Sequence, residues 1–249
     1  VIKRKLYGQH FLVDEKVIKK IVELIDGETA LEIGGGKGAL SKLVANKVEK
    51  LYIVEKDEKL AETLRNIFQN KENIKVINDD FLKLKPFKVH VIYGNVPYSI
   101  SSKIVFKLLE WNFSYSILMF QKEFVEKMIA KEKTREFGRL SFNSQNFFVI
   151  KKLFDVSNKA FFPKPKVTST VIKLEKREKP LIEVKDERII RVLFSLKNKK
   201  IKNIIKKMEK TKIPIKKEEL EKNEIKKIME KRPWQLTFEE IDTLLKIFN

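Results

Sequence analysis

The sequence predicts an α/β fold, a mostly parallel sheet with an antiparallel edge, followed by a small all-α part. Short apolar runs alternate with stretches of helical period for five units. Two strand-like runs then follow, and beyond residue 180 only helical patterns remain. The 249 residues give room for one large domain and a small one. These divide as residues 1–178 and 179–249, with the charged, unpatterned stretch 176–180 as the linker.

In chain order, a basic arm, Val1-Ile2-Lys3-Arg4-Lys5, leads into Tyr7-Gly8-Gln9-His10-Phe11-Leu12. Residues 14–25 follow with helical period: Asp14 is placed to cap, Val17, Ile18, Ile21, Val22 and Ile25 share a face, and Asp26-Gly27 ends the run. The arm therefore precedes the first helix and can fold over a ligand held by the domain behind it. Phe11 and Leu12 equally suit a hydrophobic staple for that helix.

Thr29-Ala30-Leu31-Glu32-Ile33 reads as a short buried strand running into Gly34-Gly35-Gly36-Lys37-Gly38, after which residues 41–45 are helical. A glycine-rich turn between strand and helix lets a ligand approach the backbone closely, with Gly34 and Gly36 as the positions that matter. Residues 50–54 form the second strand, ended by Glu55. An acid about 20 residues after the glycines is placed to accept hydrogen bonds from ribose hydroxyls. The pairing points to a nucleoside without saying which. Gly34-x-Gly36-x-x-Ala39 also fits the dinucleotide fingerprint, so a hydride-transfer enzyme stands as a rival. Residues 56–68 are helical, and 74–77 are a third strand closed by Asn78-Asp79-Asp80-Phe81. Asp80 either accepts from an adenine amine, with Phe81 beside the ring, or caps the next turn.

The fourth strand, residues 89–93, delivers Gly94-Asn95-Val96-Pro97-Tyr98 to the carboxyl end of the sheet, where open α/β sheets bind ligands. Pro97 stiffens the corner, Asn95 offers an acceptor and a donor, and Tyr98 adds an aromatic face at a fixed distance. A flat base stacked on Tyr98 would direct its exocyclic amine at the Asn95 oxygen and a nearby backbone carbonyl. Acceptors on both amine protons favour a pyramidal nitrogen whose lone pair can attack. The same residues also suit a strand-end turn with a structural proline and a core tyrosine. Ser101 or Ser102 is placed to cap a helix over 103–110; residues 117–120 are the fifth strand, ending at Gln121-Lys122-Glu123, with a helix to Ala130. Strands over 148–153 and 167–174 are joined through Phe161-Phe162-Pro163-Lys164-Pro165-Lys166. Helices are expected over 186–203, 216–221, 224–229 and 238–248. Lysines recur along 197–210 between Ile201, Ile204 and Ile205, giving an apolar face and a basic one, either RNA-contacting or simply solvated.

Composition narrows the class. Lys+Arg number 54 against 34 Asp+Glu, a net charge of +20, which attracts polyphosphate backbones and makes such binding salt-dependent. A bias toward Lys, Ile, Asn and Phe is also what an AT-rich genome produces. With no cysteine, disulfides, thiolate nucleophiles and Cys-ligated metals are excluded together, and with only His10 and His90 so is a His-rich metal site. Carboxylates could still hold a magnesium ion, but no metal is expected. No run of about 18 apolar residues occurs and no signal peptide is visible, so a soluble cytoplasmic protein is the expectation.

Eight segments carry a family resemblance: Gln9-His10-Phe11-Leu12, Glu32-Ile33-Gly34-x-Gly36-x-Gly38, Glu55, Asp80, Asn95-Val96-Pro97-Tyr98, Gln121-Lys122-Glu123, Gly138-Arg139-Leu140-Ser141 and Phe162-Pro163-Lys164-Pro165-Lys166-Val167-x-Ser169. In this order they resemble the ribosomal RNA adenine dimethyltransferases, over residues 3 to 175 and more weakly to Arg232-Pro233-x-x-Leu236. The small-subunit branch is the better match, with archaeal-like features in Ser101-Ser102 and the run over 130–140. The resemblance implies a Rossmann-like, class I S-adenosylmethionine-dependent methyltransferase sheet. It places His10, Leu12, Gly34, Gly36, Glu55, Asp80 and Asn95 at the S-adenosylmethionine, makes Asn95 and Tyr98 catalytic, and has Tyr98 and Phe162 stack on the target adenine. The implied substrate is two adjacent adenosines in the 3′-terminal hairpin of small-subunit rRNA within a pre-ribosomal particle, and the implied state is a monomer. Two departures stand out: Asp79 where relatives often have Gly, and Lys197, Lys199 and Lys200 where they tend to have Arg. A large-subunit methyltransferase of the antibiotic-resistance branch, or a silent RNA-binding assembly or transcription factor, are the alternatives.

Overall fold

A computed structural model describes residues 10–211 and 213–248. The basic arm read at Val1-Ile2-Lys3-Arg4-Lys5, and Gln9 of the first motif, lie outside the described residues. Among the described residues the nine strands are β1 (Phe11–Leu12), β2 (Thr29–Ile33), β3 (Lys50–Glu55), β4 (Ile74–Asn78), β5 (Val91–Asn95), β6 (Tyr115–Gln121), β7 (Phe148–Val156), β8 (Phe161–Phe162) and β9 (Ser169–Lys176).

Seven of them form one sheet in the order β4-β3-β2-β5-β6-β9-β7. From β4 to β6 every pairing is parallel, and β9 runs antiparallel to β6. The inner strands are buried almost end to end, as parallel strands covered on both faces must be. The expected antiparallel edge lies beyond β6, where β9, later in sequence, takes the inner place and β7 the outer one. Burial explains this order. Ser169, Thr170, Val171, Ile172 and Leu174 are buried, whereas β7 exposes Lys151 and Lys152 and suits an edge. Strand order reverses between β2 and β5, so the glycine turn after β2 and the Asn95 corner after β5 adjoin. A crevice opens at such switch points.

Most helices of this part follow the sequence reading, apart from one over Arg139–Phe147 that was not expected. In α1 (Glu15–Glu23) Asp14 accepts from Lys16 N and Val17 N. Next come α2 (Ser41–Val44) and α3 (Glu58–Ile67), the latter capped by Asp57. At α4 (Ser101–Lys107) neither Ser101 nor Ser102 caps: a 3-10 turn over Tyr98–Ile100 precedes the helix, and the Ser101 hydroxyl instead donates to Tyr98 O at 3.1 Å. Then come α5 (Lys122–Met128) and α6 (Arg139–Phe147).

The chain forms two compact units, one of the described residues up to 125 with 149–176, the other of 126–148 with the described residues from 177 onward. The second unit takes in α6 and five helices: α7 (Glu187–Ser195), α8 (Ile201–Met208), α9 (Lys217–Leu220), α10 (Asn223–Met229) and α11 (Phe238–Leu245). The single helix expected over 186–203 is two, α7 and α8. The core of this unit gathers Phe137, Phe142, Ile190, Phe194, Ile201, Leu236 and Leu244. Arg177 N donates to Phe147 O at 2.9 Å and Leu181 N to Asn146 O at 3.0 Å, tying the stretch after β9 to α6. Among the described residues no helix is long and apolar enough to cross a membrane.

Candidate active site

A cavity of about 600 Å³ opens where β2, β3, β4 and β5 end. Its floor is the glycine turn. Gly34 and Gly36 have φ of 76° and 55°, a left-handed backbone that side chains disfavour. A Cβ at Gly34 would meet nothing within 4 Å, so the strand end opens straight into the cavity, while at Gly36 it would come 3.3 Å from the Phe11 ring. Glu55, only 5% exposed, takes Gly36 N–H on Oε2 at 2.8 Å and Asp57 N–H on Oε1 at 2.9 Å. It thereby holds the turn against β3, and each oxygen keeps a second lone pair.

Asp80 takes the turn-capping role, one of the two readings its sequence position allowed. Its Oδ1 accepts Leu82 N–H at 3.0 Å as a turn cap, and the carboxylate still lines the cavity, where Lys56 Nζ approaches Oδ2 to 2.9 Å. Burial pushes this carboxyl up, but the hydrogen bonds from Lys56 and Leu82 N–H outweigh it and hold Asp80 below the usual range. Phe81 stacks on Trp111 at 5.1 Å and 16°, a fixed apolar wall.

The roof is a small sheet that no periodicity announced. β1 pairs antiparallel with β8, Phe11 opposite Phe162 and Leu12 opposite Phe161, so these two residues form a strand, and Leu12 is also buried in one core cluster with Ile18, Ile21 and Val22 of α1. His10 Nδ1 donates to Pro163 O at 2.6 Å, and the His10 carbonyl accepts from Asn95 Nδ2 at 2.8 Å. Only the amide nitrogen can face a carbonyl, which fixes the Asn95 orientation. Tyr98, half-buried, has its hydroxyl 2.7 Å from Ser169 Oγ, and Phe162 is 62% exposed at the rim. His10, Leu12, Gly34, Gly36, Glu55, Asp80, Asn95, Tyr98 and Phe162 thus all line one cavity.

Four residues here were not singled out from sequence: Phe11 over the glycine turn, Lys56 at Asp80, Ser169 at Tyr98, and Glu32. Glu32 is 2% exposed and accepts from Ser41 Oγ and, at 3.0 Å, from Tyr93 OH. Burial pushes its carboxyl up to about 8, against those two hydrogen bonds and with the charge of Glu55 adding to the rise. An acid inside an otherwise apolar strand was the available signal.

A family model for ribosomal RNA adenine dimethylase matches residues 2–244. The chain belongs to the ribosomal RNA adenine dimethylase family. It is 38% identical over 245 residues to a probable ribosomal RNA small subunit methyltransferase A of Methanococcus maripaludis, covering 95% of this chain and 90% of the relative. A ribosomal RNA small subunit methyltransferase A of Malacoplasma penetrans is 43% identical over 177 residues, 69% of this chain and 65% of that one. Among solved structures, a dimethyladenosine transferase from Plasmodium falciparum superposes with a TM-score of 0.81 at 28% identity, covering 95% of this chain and 97% of that one. The 23S rRNA methyltransferase ErmE gives 0.64 at 26%, covering 96% and 100%. The sheet is that of a class I methyltransferase, with a helical C-terminal part.

As a ribosomal RNA adenine dimethylase the protein uses S-adenosylmethionine. The cavity fits such a group on its own terms. Its volume is that of a small-molecule site, the space over Gly34 is open where a Cβ would stand, and carboxylates at Glu55 and Asp80 line it beside an apolar wall.

Proposed function

We propose that this protein transfers methyl groups from S-adenosylmethionine to the exocyclic amines of two adjacent adenosines in the 3′-terminal hairpin of small-subunit rRNA. The observation that carries the reading is the Asn95 amide. Its nitrogen is committed to the His10 carbonyl, no described residue donates to its Oδ1, and Tyr98 lies beside it on the same cavity wall. Glu55 and Asp80 suit the ribose hydroxyls and the adenine amine of the cofactor, His10 and Leu12 cover it, and Gly34 and Gly36 admit it to the backbone.

When bound, S-adenosylmethionine supplies an electrophilic methyl group on a sulfonium. The chain's task is to present the amine. An adenine amine is a weak nucleophile because its lone pair is delocalised into the ring. A hydrogen bond from one amine proton to Asn95 Oδ1, and from the other to a backbone carbonyl of the same corner, favours a pyramidal nitrogen with a directed lone pair. Tyr98 offers a face for the base and Phe162 closes its other side. As the nitrogen–carbon bond forms the sulfur–carbon bond breaks, and the amine proton leaves to water after transfer. Tyr98 is no base: burial pushes its phenol up, and the Ser169 hydrogen bond offsets this only in part. A base in a hairpin loop is cheaper to splay out than one in a duplex.

The reading extends to a monomer acting in the cytoplasm on a pre-ribosomal particle, with the lysines of α8 among its RNA contacts. Relatives named for the small subunit, found in both archaea and bacteria, support the choice of RNA over the large-subunit alternative. Tritiated S-adenosylmethionine should label small-subunit rRNA in immature particles. Label on large-subunit RNA alone would move the protein to the other branch, and no label on either would make it a silent binder.

A further inference from the structure

The Asn95 corner, the N-terminal segment and the loop after β8 are joined in one closed circuit. Asn95 Nδ2 donates to His10 O and His10 Nδ1 to Pro163 O; the chain runs from Pro163 to Ser169; and Ser169 Oγ meets the Tyr98 hydroxyl at 2.7 Å, three residues from Asn95. Ser169 is fully buried and is the first residue of β9, paired to Gln121 of β6. Its hydroxyl bonds Tyr98 and no other described residue.

We propose that Ser169 is a positioning residue for the target base, anchoring the Tyr98 hydroxyl in the sheet so that the ring is already set at its stacking angle when the base arrives. The proposal rests on the reading of Tyr98 as the stacking platform. A tyrosine ring has two soft torsions. Here its backbone end is fixed by Pro97, φ −57°, and by the Ser101 hydroxyl on its carbonyl. One flank meets the His10 ring at 5.8 Å and 31°. The tip is held by Ser169 alone. Turning the ring away breaks that bond and strands a hydroxyl in the core, which is costly. The ring therefore needs no ordering when the base binds, and the amine meets Asn95 in a reactive pose more often. Phe162 stands in β8, at the other end of the connection 163–168 that leads to Ser169, and is held separately by its pairing with Phe11.

The test is a double-mutant cycle in the full-length protein with unmethylated small-subunit particles, read as single-turnover rate at saturating S-adenosylmethionine, with cofactor Kd and melting temperature measured alongside. Ser169→Ala and Tyr98→Phe should each slow transfer roughly 3- to 10-fold, the worth of one hydrogen bond. The double variant should be no slower than the worse single one, and cofactor Kd should not change. Ser169→Ala at the wild-type rate, or losses that add in the double variant, would overturn the proposal. So would a rate that falls only in step with melting temperature, the mark of a merely structural bond. If Ser169→Ala does not fold, Tyr98→Phe removes the same bond from the cavity side, and a wild-type rate there is equally fatal. Tyr98→Ala separates the two layers: a fast Tyr98→Ala sinks the stacking reading itself, whereas a slow one beside unaffected Ser169→Ala and Tyr98→Phe sinks only the role of Ser169.

Discussion

The main-chain carbonyl of His10 accepts from Asn95 Nδ2 at 2.8 Å, so the N-terminal segment decides which way the amide of the Asn95 corner points. Asn95→Ala removes the acceptor offered to the target amine while leaving the cavity walls in place. Transfer should fall by about 10²–10³-fold, the loss typical of one preorganised polar group aimed at a reacting centre. RNA affinity in a filter-binding assay should barely move. An Asn95→Ala protein that still transfers methyl groups efficiently would reject the amine-orienting role.

The residue before that corner is under steric constraint. A Cβ on Gly94 would lie 2.5 Å from Ile33 O and 3.2 Å from Ile33 N, backbone atoms of the neighbouring strand that cannot step aside. Gly94→Ala should destabilise the protein by about 1–3 kcal/mol, as overpacking in a closed interior does. A lowered urea midpoint with an unchanged m-value would show it, and an unshifted midpoint would mean that β2 and β5 separate more easily than their pairing suggests.

Asp80→Ala should cost twice. Loss of the acceptor for Leu82 N–H removes a cap, about 1 kcal/mol of stability. Loss of the carboxylate from the cavity wall should weaken S-adenosylmethionine about tenfold by calorimetry, or ~1.4 kcal/mol. Unchanged affinity with lowered stability would leave Asp80 a turn residue only.

Glu32 makes a pH signature. Between its ordinary value of 4.5 and about 8, the folded protein keeps a proton that the unfolded chain has released, so this group's contribution to stability is lost as pH rises through that window. Glu32→Gln keeps partners for Ser41 and Tyr93 without a titrating group. Its melting temperature should therefore gain on the wild type steadily from about pH 5 to about pH 9. A constant gap would mean that Glu32 is ionised throughout.

Lys206 and Lys207 of α8, and Lys210 in the turn after it, are exposed while Ile201, Ile204, Ile205 and Met208 are buried. If that side meets phosphates, replacing the three lysines with Ala should flatten the plot of log affinity against log salt by roughly 2, at about 0.7 per single-strand contact. An unchanged slope would make them ordinary solvated lysines.

The sequence revealed the parallel part of the sheet because strands buried on both faces read as continuous apolar runs, and Asp14 announced its own helix. Gly34, Glu55, Asp80 and Asn95, which stand at or just after strand ends and line the cavity, were legible because topology brings strand ends together. The pairing of Phe11 with Phe162 was not: two-residue strands carry no period, and their partners are distant in the chain. Ser169 was visible only as part of a motif, since nothing local says which hydroxyl a buried serine will meet. The order of β9 and β7 was hidden for a related reason, as antiparallel neighbours can exchange places without altering either pattern.

The pairing of β1 with β8 has a consequence for how the protein comes into being. The segment carrying Phe11 leaves the ribosome before any of the sheet, and its partner only after all the parallel strands are made. A nascent chain halted before Phe161 has the glycine-turn floor of the cavity but not the two-stranded roof. The cavity is therefore completed late, and at a single step in translation.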